Sequence, residues 1–292
     1  MSETVVMFPG QGVQEAGMGR ELFDEYPDLT AEADEILGYS VRRLCHDNPD
    51  GLLDDTLYTQ PAVYVVNALE YRHWRGTAGE PDGALGHSLG EYNALEAAGA
   101  LTFGTGLRLV QARAQLTGAV RGAMTVVLGL DEERIRHVLA ANHHEDVEIV
   151  NFNTPTQLVL AGPPDSIGAA EVALDAAGAA SVRRLAVSGP FHSSHMARAA
   201  TEFAARFRHI GVEEPRFPVI ANLTARPHRR EEIMRSLAAH IDHPVRWADS
   251  IRWILERHPR ATFEAMGKAR ILIRMLKRIR SELSLTAGSA RG

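Results

Sequence analysis

Apolar residues fall in short, bounded clusters along the chain. Thr4–Phe8 is a β-branched apolar run that stops at Pro9-Gly10-Gln11-Gly12, the pattern of a buried strand entering a tight loop. Mixed apolar and polar faces predict helices over 19–37 and 60–74. Gly83-Ala84-Leu85-Gly86 then leads through His87-Ser88-Leu89-Gly90-Glu91 into a helix-forming stretch over 92–98, so a strand, a sharp turn and a helix are expected in succession. A further helix is expected over 107–116.

The pattern changes near Gly122. Strand-like runs at 123–130, 147–151, 157–161 and 181–187 alternate with helical stretches at 131–142 and 165–177, giving the order βαββαβ of a ferredoxin-like unit. Residues 123–188 therefore read as a small inserted subdomain, with 1–122 and 189–285 forming a discontinuous large one. A helix over 196–207, a strand over 217–222 and C-terminal helices complete the large part. The small, polar residues 286–292 are expected to be a disordered tail.

With 292 residues and 45% hydrophobic content, the chain can fill one large core or a large and a small one. A net charge of -6 excludes a general attraction to nucleic acid or to anionic membrane, so partners have to be sought in local patches. Cys45 is the only cysteine, which rules out an intramolecular disulfide and makes a reducing cytoplasm the simplest compartment. The N-terminus lacks a basic segment before its apolar run, and no apolar stretch is long enough for a membrane span, so a soluble protein is expected.

Gly86-His87-Ser88-Leu89-Gly90 fits the G-x-S-x-G elbow, in which two glycines let the chain turn sharply enough to present a serine at a strand end. The N–H groups of the following helix would stabilise charge on a reacting carbonyl. A serine nucleophile needs a base, and neutral imidazole is the usual one. Composition does not choose among 13 histidines; His192 is a candidate because it lies in an irregular loop, after Ser188-Gly189-Pro190-Phe191 and just beyond the inserted unit, the alternative being a surface or hydrogen-bonded structural histidine. His192-x-x-His195 and His143-His144-Glu145-Asp146 lack a matching second pair of metal ligands, so no metal is expected.

Six blocks carry a wider resemblance: Phe8-Pro9-Gly10-Gln11-Gly12, Thr59-Gln60-Pro61-Ala62, Gly86-His87-Ser88-Leu89-Gly90-Glu91, Arg113, Gly189-Pro190-Phe191-His192-Ser193 and Pro244-Val245-Arg246-Trp247. In order and spacing the chain resembles malonyl-CoA:acyl carrier protein transacylases, closest to the discrete trans-acting acyltransferases of polyketide synthases. The resemblance implies an α/β fold, with an α/β-hydrolase-like large subdomain built on a parallel sheet and an inserted ferredoxin-like small one. It implies acylation of Ser88, His192 as base, and an oxyanion hole from the backbone N–H groups of Gln11 and Leu89. The imidazole would be oriented by a backbone carbonyl at His240, where relatives often carry glutamine. A second imidazole there could disturb the basicity of His192. Coenzyme A thioester would be the donor and an acyl carrier protein the acceptor, with no bound cofactor.

The same resemblance makes Arg113 the grip for a free malonyl carboxylate, in a two-point pair that lysine cannot copy; the alternative is a solvated helix arginine. Gln60, His87 and Asn153 would line the substrate, with Gln157 near them. Phe191 is either a pocket wall or core packing. Ala112-Arg113-Ala114 and Glu264-Ala265-Met266-Gly267-Lys268 depart from the common pattern. Lys268, Arg270, Arg274, Lys277 and Arg278 form a basic run, either a solvated helix face or a carrier-docking surface. Three other functions fit less well: transfer of a larger or neutral acyl group between carriers, an editing hydrolase, and a non-catalytic carrier-binding module.

Overall fold

The computed structural model describes residues 3–267 and 269–289. Eight strands are found among them: β1 (Thr4–Phe8), β2 (Gly83–Gly86), β3 (Ala123–Leu128), β4 (Glu148–Thr154), β5 (Gln157–Gly162), β6 (Ser181–Arg184), β7 (Val219–Ile220) and β8 (Thr262–Ala265). Four form a parallel sheet in the order β7-β2-β1-β8, with Phe8 opposite Gly86. Because these strands run the same way, the segments leaving β1, β2 and β7 emerge at one edge. The Gln11 loop, Ser88 and Asn222 are thereby gathered from distant parts of the sequence.

Strand alternation decides which side each residue covers. Val6 and Phe8 join the larger core with Tyr64, Tyr92 and Leu107, whereas Val5, Met7 and Leu85 face Trp247, Ile251 and Leu272. Helices Thr56–Ala78, Gly90–Ala97 and Phe103–Gly118 pack on the first side. Trp247–Arg257 and Arg270–Ser289 pack on the second.

The other four strands form an antiparallel sheet in the order β4-β5-β3-β6, with helices Glu132–Ala141 and Pro164–Ala176 on its own separate core. This is the ferredoxin-like arrangement. Its neck is closed by the Gly122 N–H donating to the Ser188 carbonyl at 3.0 Å. At its outer edge β4 is tied to the large sheet's side: Val245 donates to Val150 and Phe152 donates to Val245, each at 2.9 Å. The second junction fixes how β4 side chains meet the elbow.

Several boundaries differ from the sequence pattern. The helix expected over 19–37 is two, Leu22–Glu25 and Pro27–Leu37, because Tyr26 precedes a proline and takes ψ 63 rather than a helical value. The helix expected over 60–74 starts four residues earlier, where the Asp55 carboxylate accepts from Leu57 N–H at 2.9 Å and caps it. Strand β8 was missed, since Thr-Phe-Glu-Ala on a sheet edge is too polar to stand out. Residues 286–289 are not a disordered tail but the end of the Arg270–Ser289 helix. Elongating an established helix costs far less than starting one. Residues 290–292 lie outside the described residues.

Candidate active site

Ser88 sits at φ 52, in the left-handed region that side chains ordinarily avoid. Its flanking glycines are sterically required. A Cβ on Gly86 would lie 1.9 Å from the Gly90 carbonyl carbon, and one on Gly90 would lie 2.2 Å from the Phe8 carbonyl oxygen. A Cβ on Gly10 would lie 2.6 Å from the His87 carbonyl oxygen, so the Gln11 loop is packed directly against the elbow. Leu89 leads into the Gly90–Ala97 helix, whose first turn is closed by the Gly90, Glu91 and Tyr92 N–H groups donating to the His87, Ser88 and Leu89 carbonyls at 3.0, 3.1 and 3.1 Å. Asn222 clamps the turn: its Oδ1 accepts the Ser88 N–H at 3.1 Å and its Nδ2 donates to the Gly86 carbonyl at 2.7 Å.

The Ser88 hydroxyl lies 2.7 Å from His192 Nε2, and His192 Nδ1–H donates to the His240 carbonyl at 2.8 Å. The carbonyl fixes the tautomer. With Nδ1 protonated, Nε2 is left as the acceptor for the serine proton. His192 is 2% exposed. Burial first, then the Arg113 charge, pushes its pKa down to about 3, so the free protein holds it neutral. The His240 ring lies 4.5 Å from the His192 ring, tilted by 31°, and its pKa is itself held well below the ordinary value, mainly by burial. A neutral neighbour adds no competing positive charge.

Arg113 is a buried residue, not a solvated helix arginine. It donates to Ser88 Oγ at 3.1 Å and to Gln60 Oε1. Gln60 Nε2 donates to Thr56 at 2.8 Å and Thr117 at 3.2 Å, and the Thr56 hydroxyl donates to Gln11 Oε1 at 3.0 Å. This network holds the guanidinium beside Ser88. Burial pulls the Arg113 pKa down, with Tyr92 and Glu91 opposing. Among the described residues no carboxylate pairs with it at salt-bridge distance.

His87 Nε2 meets Asn153 Oδ1 of β4 at 2.7 Å and its ring packs on Trp247 at 5.4 Å, which joins the small sheet to the elbow. Phe191 is buried in the large core, so packing accounts for it directly. Gln157 opens β5, and no hydrogen bond joins it to Ser88 or His192. Asn222, Thr56, Thr117 and Trp247 were not anticipated from the sequence. Asn222 had one available signal, an amide directly after an apolar strand.

Arg270, Arg274 and Lys277 are exposed on one helix, whereas Arg278 is paired with Glu282 at 3.0 Å, and Lys268 lies outside the described residues. Among the described residues no group of three His, Cys, Asp or Glu side chains could hold a metal ion. No helix among them is long and apolar enough to cross a membrane.

Comparison with known proteins finds the family described as "Acyl transferase domain" matching residues 5–282. The polyketide biosynthesis malonyl CoA-acyl carrier protein transacylase PksC of Bacillus subtilis is 44% identical over 279 residues, covering 94% of this chain and 96% of PksC. The polyketide biosynthesis protein ThaF of Burkholderia thailandensis is 45% identical over 97% of this chain, which spans only 25% of ThaF. A crystal structure of malonyl CoA-acyl carrier protein transacylase from Burkholderia pseudomallei superposes with a TM-score of 0.92 at 44% identity, covering 96% of this chain and 99% of that one. A type II PKS acyl-carrier protein in complex with its malonyl-transacylase, PlMCAT:AntF, gives 0.89 at 36% identity over 95% of this chain and 93% of that one.

Proposed function

Because this chain belongs to the acyl transferase domain family, we propose that it transfers malonyl from coenzyme A to the phosphopantetheine thiol of an acyl carrier protein in polyketide biosynthesis. The observation that carries this reading is a serine within 2.7 Å of a neutral imidazole and 3.1 Å of a buried, unpaired guanidinium. In the first half-reaction Ser88 Oγ attacks the thioester carbonyl while His192 Nε2 takes its proton. The N–H groups of Leu89 and Gln11 receive the oxyanion. Coenzyme A leaves as its thiol, reprotonated by His192, and malonyl-Ser88 remains. In the second half-reaction the carrier thiol gives its proton to His192 and attacks the ester, restoring Ser88. Neither step calls for a metal or redox cofactor. In this reading residues 123–188 form the lid-side subdomain, and a reducing, cytoplasmic setting suits the single buried Cys45.

Intact-mass measurement after mixing the protein with malonyl-CoA tests the reading. A malonyl adduct on Ser88 that a carrier protein removes is the expected result; an adduct lost only to water would favour an editing hydrolase.

Arg113 decides the acyl class. Stranding a buried carboxylate by removing its partner typically costs about 2 to 5 kcal/mol. Arg113→Ala should therefore slow malonyl transfer by roughly 30-fold or more, at about 1.4 kcal/mol per tenfold. Acetyl-CoA has no carboxylate to strand and should react no worse. Competition between the two donors reads this directly; an unchanged malonyl preference would remove Arg113 as the carboxylate grip, and a wild type that already prefers the neutral donor would point to transfer of neutral acyl groups instead.

The exposed Arg270, Arg274 and Lys277 offer a positive face in an acidic protein. Reversing these three charges should slow transfer to a carrier protein and leave self-acylation by malonyl-CoA unchanged. The defect should shrink as salt rises, because encounter steering is screened. Equal loss in both half-reactions would indicate damage to the fold.

A further inference from the structure

Glu91 is a carboxylate with 0% side-chain exposure, and no lysine or arginine pairs with it at salt-bridge distance among the described residues. Burying such a group is costly unless hydrogen bonds replace its water. Its Oε1 lies 2.7 Å from His228 Nε2. Its Oε2 accepts from Asn222 Nδ2 at 2.5 Å and Asn222 N–H at 3.3 Å, and lies 3.3 Å from His240 Nδ1. Both amide donors meet Oε2, so that oxygen acts as an acceptor.

Each partner leads to one member of the dyad. Asn222 is the clamp on the elbow, and only one sense of its amide works: Oδ1 toward the Ser88 N–H and Nδ2 toward the Gly86 carbonyl. A flipped amide would set donor against donor at Ser88 and acceptor against acceptor at Gly86. The carboxylate excludes the flip, because Oε2 accepts from the same Nδ2. His240 supplies the carbonyl that holds His192 Nδ1–H, and its ring lies against His192. Among the described residues its Nε2 has no hydrogen-bond partner, which leaves Glu91, 3.3 Å from Nδ1, as the polar group within reach of that imidazole.

We propose that Glu91 is a positioning residue for acylation, holding Ser88 through Asn222 and His192 through His240, with His228 anchoring the carboxylate from its other oxygen. The inference rests on the assignment of Ser88 and His192 above. Glu91 touches neither the acyl group nor the reacting atoms. Its loss should appear in the rate of the chemical step and not in the affinity for the donor.

Glu91→Gln has the same shape but one acceptor oxygen where the carboxylate has two, so it cannot serve His228 and Asn222 alike without a tautomer change. Single-turnover acylation by malonyl-CoA, followed by intact mass, should show a maximal rate lowered by about 10- to 100-fold, the size of effect a small misplacement of reacting groups produces. The half-saturating concentration should stay within about twofold, since the maximal rate alone reports the chemical step. Asn222→Ala should give the same split, and adding Glu91→Gln to it should slow the reaction little further, because both act on one clamp. That variant also serves as the test if Glu91→Gln fails to fold. An unchanged maximal rate with a lowered melting temperature would reduce Glu91 to a structural role and overturn the proposal. A raised half-saturating concentration alone would overturn it as well, as would fully additive losses in the double variant. If wild-type Ser88 acquires no malonyl, the assignment of the dyad fails first and the proposal falls with it; normal wild-type acylation with an unaffected Glu91→Gln sinks the proposal only.

Discussion

Ser88→Ala is expected to abolish acyl transfer while leaving the protein folded. In the proposed reaction the Oγ atom forms the ester, and loss of a serine nucleophile of this type costs on the order of 10⁶ in rate. Folding should survive for identifiable reasons. Alanine has the same Cβ, so the φ of 52 at this position is no more strained than before. The Ser88 N–H bond to Asn222 belongs to the backbone and is kept. What disappears is the hydroxyl's contact with His192 and Arg113, and a hydrogen bond typically contributes about 1 kcal/mol net. Intact mass with malonyl-CoA should show no adduct on a protein whose melting curve is nearly that of the wild type. An acyl group found on another side chain would move the nucleophile away from Ser88.

The elbow was readable in the sequence because its constraint is local. Gly86 and Gly90 stand two residues either side of Ser88, and a methyl group at either would collide with backbone atoms at 1.9 or 2.2 Å. The βαββαβ order of the small sheet was readable for a similar reason, since each strand is a separate apolar run and the unit has its own core. The supports of the site were not readable. Glu91 meets His228 across 137 positions and Asn222 across 131, pairings that parallel strand order creates and periodicity cannot reveal. Arg113 shows the same limit from the other direction. Its helix predicts a face, but only the packing of Gln60, Thr56 and Thr117 around it makes the guanidinium a fixed, dry cation. The Phe191 position is a further case: the resemblance left a pocket wall and core packing open, and only the fold shows that its side chain packs in the large core.

His192→Ala should slow both acylation and transfer by a factor on the order of 10² to 10⁴, the range for a positioned general base. Both half-reactions pass a proton through Nε2, so neither should escape. The pH dependence is the sharper test. Burial and the Arg113 charge hold the His192 pKa at about 3, below its ordinary value of 6.5, so the wild-type kcat/KM should show no loss as pH falls through 6.5. Between those two values the unfolded chain binds a proton at this position and the native chain does not. Wild-type stability should therefore decline as pH drops below 6.5, and His192→Ala should remove that share of the decline. Melting temperatures of the two proteins across that range measure it. If the proposed grip holds, a bound malonyl group changes the balance, because its carboxylate on Arg113 would cancel the second-largest cause of the depression and leave His192 a stronger base. The acid limb of kcat, which reports the complex, should then lie at higher pH than the acid limb of kcat/KM, which reports the free protein. For acetyl-CoA, which leaves the Arg113 charge unpaired, the two limbs should coincide. A kcat/KM profile that falls near 6.5 would show that His192 is not held neutral by its surroundings, and the base would have to be sought elsewhere.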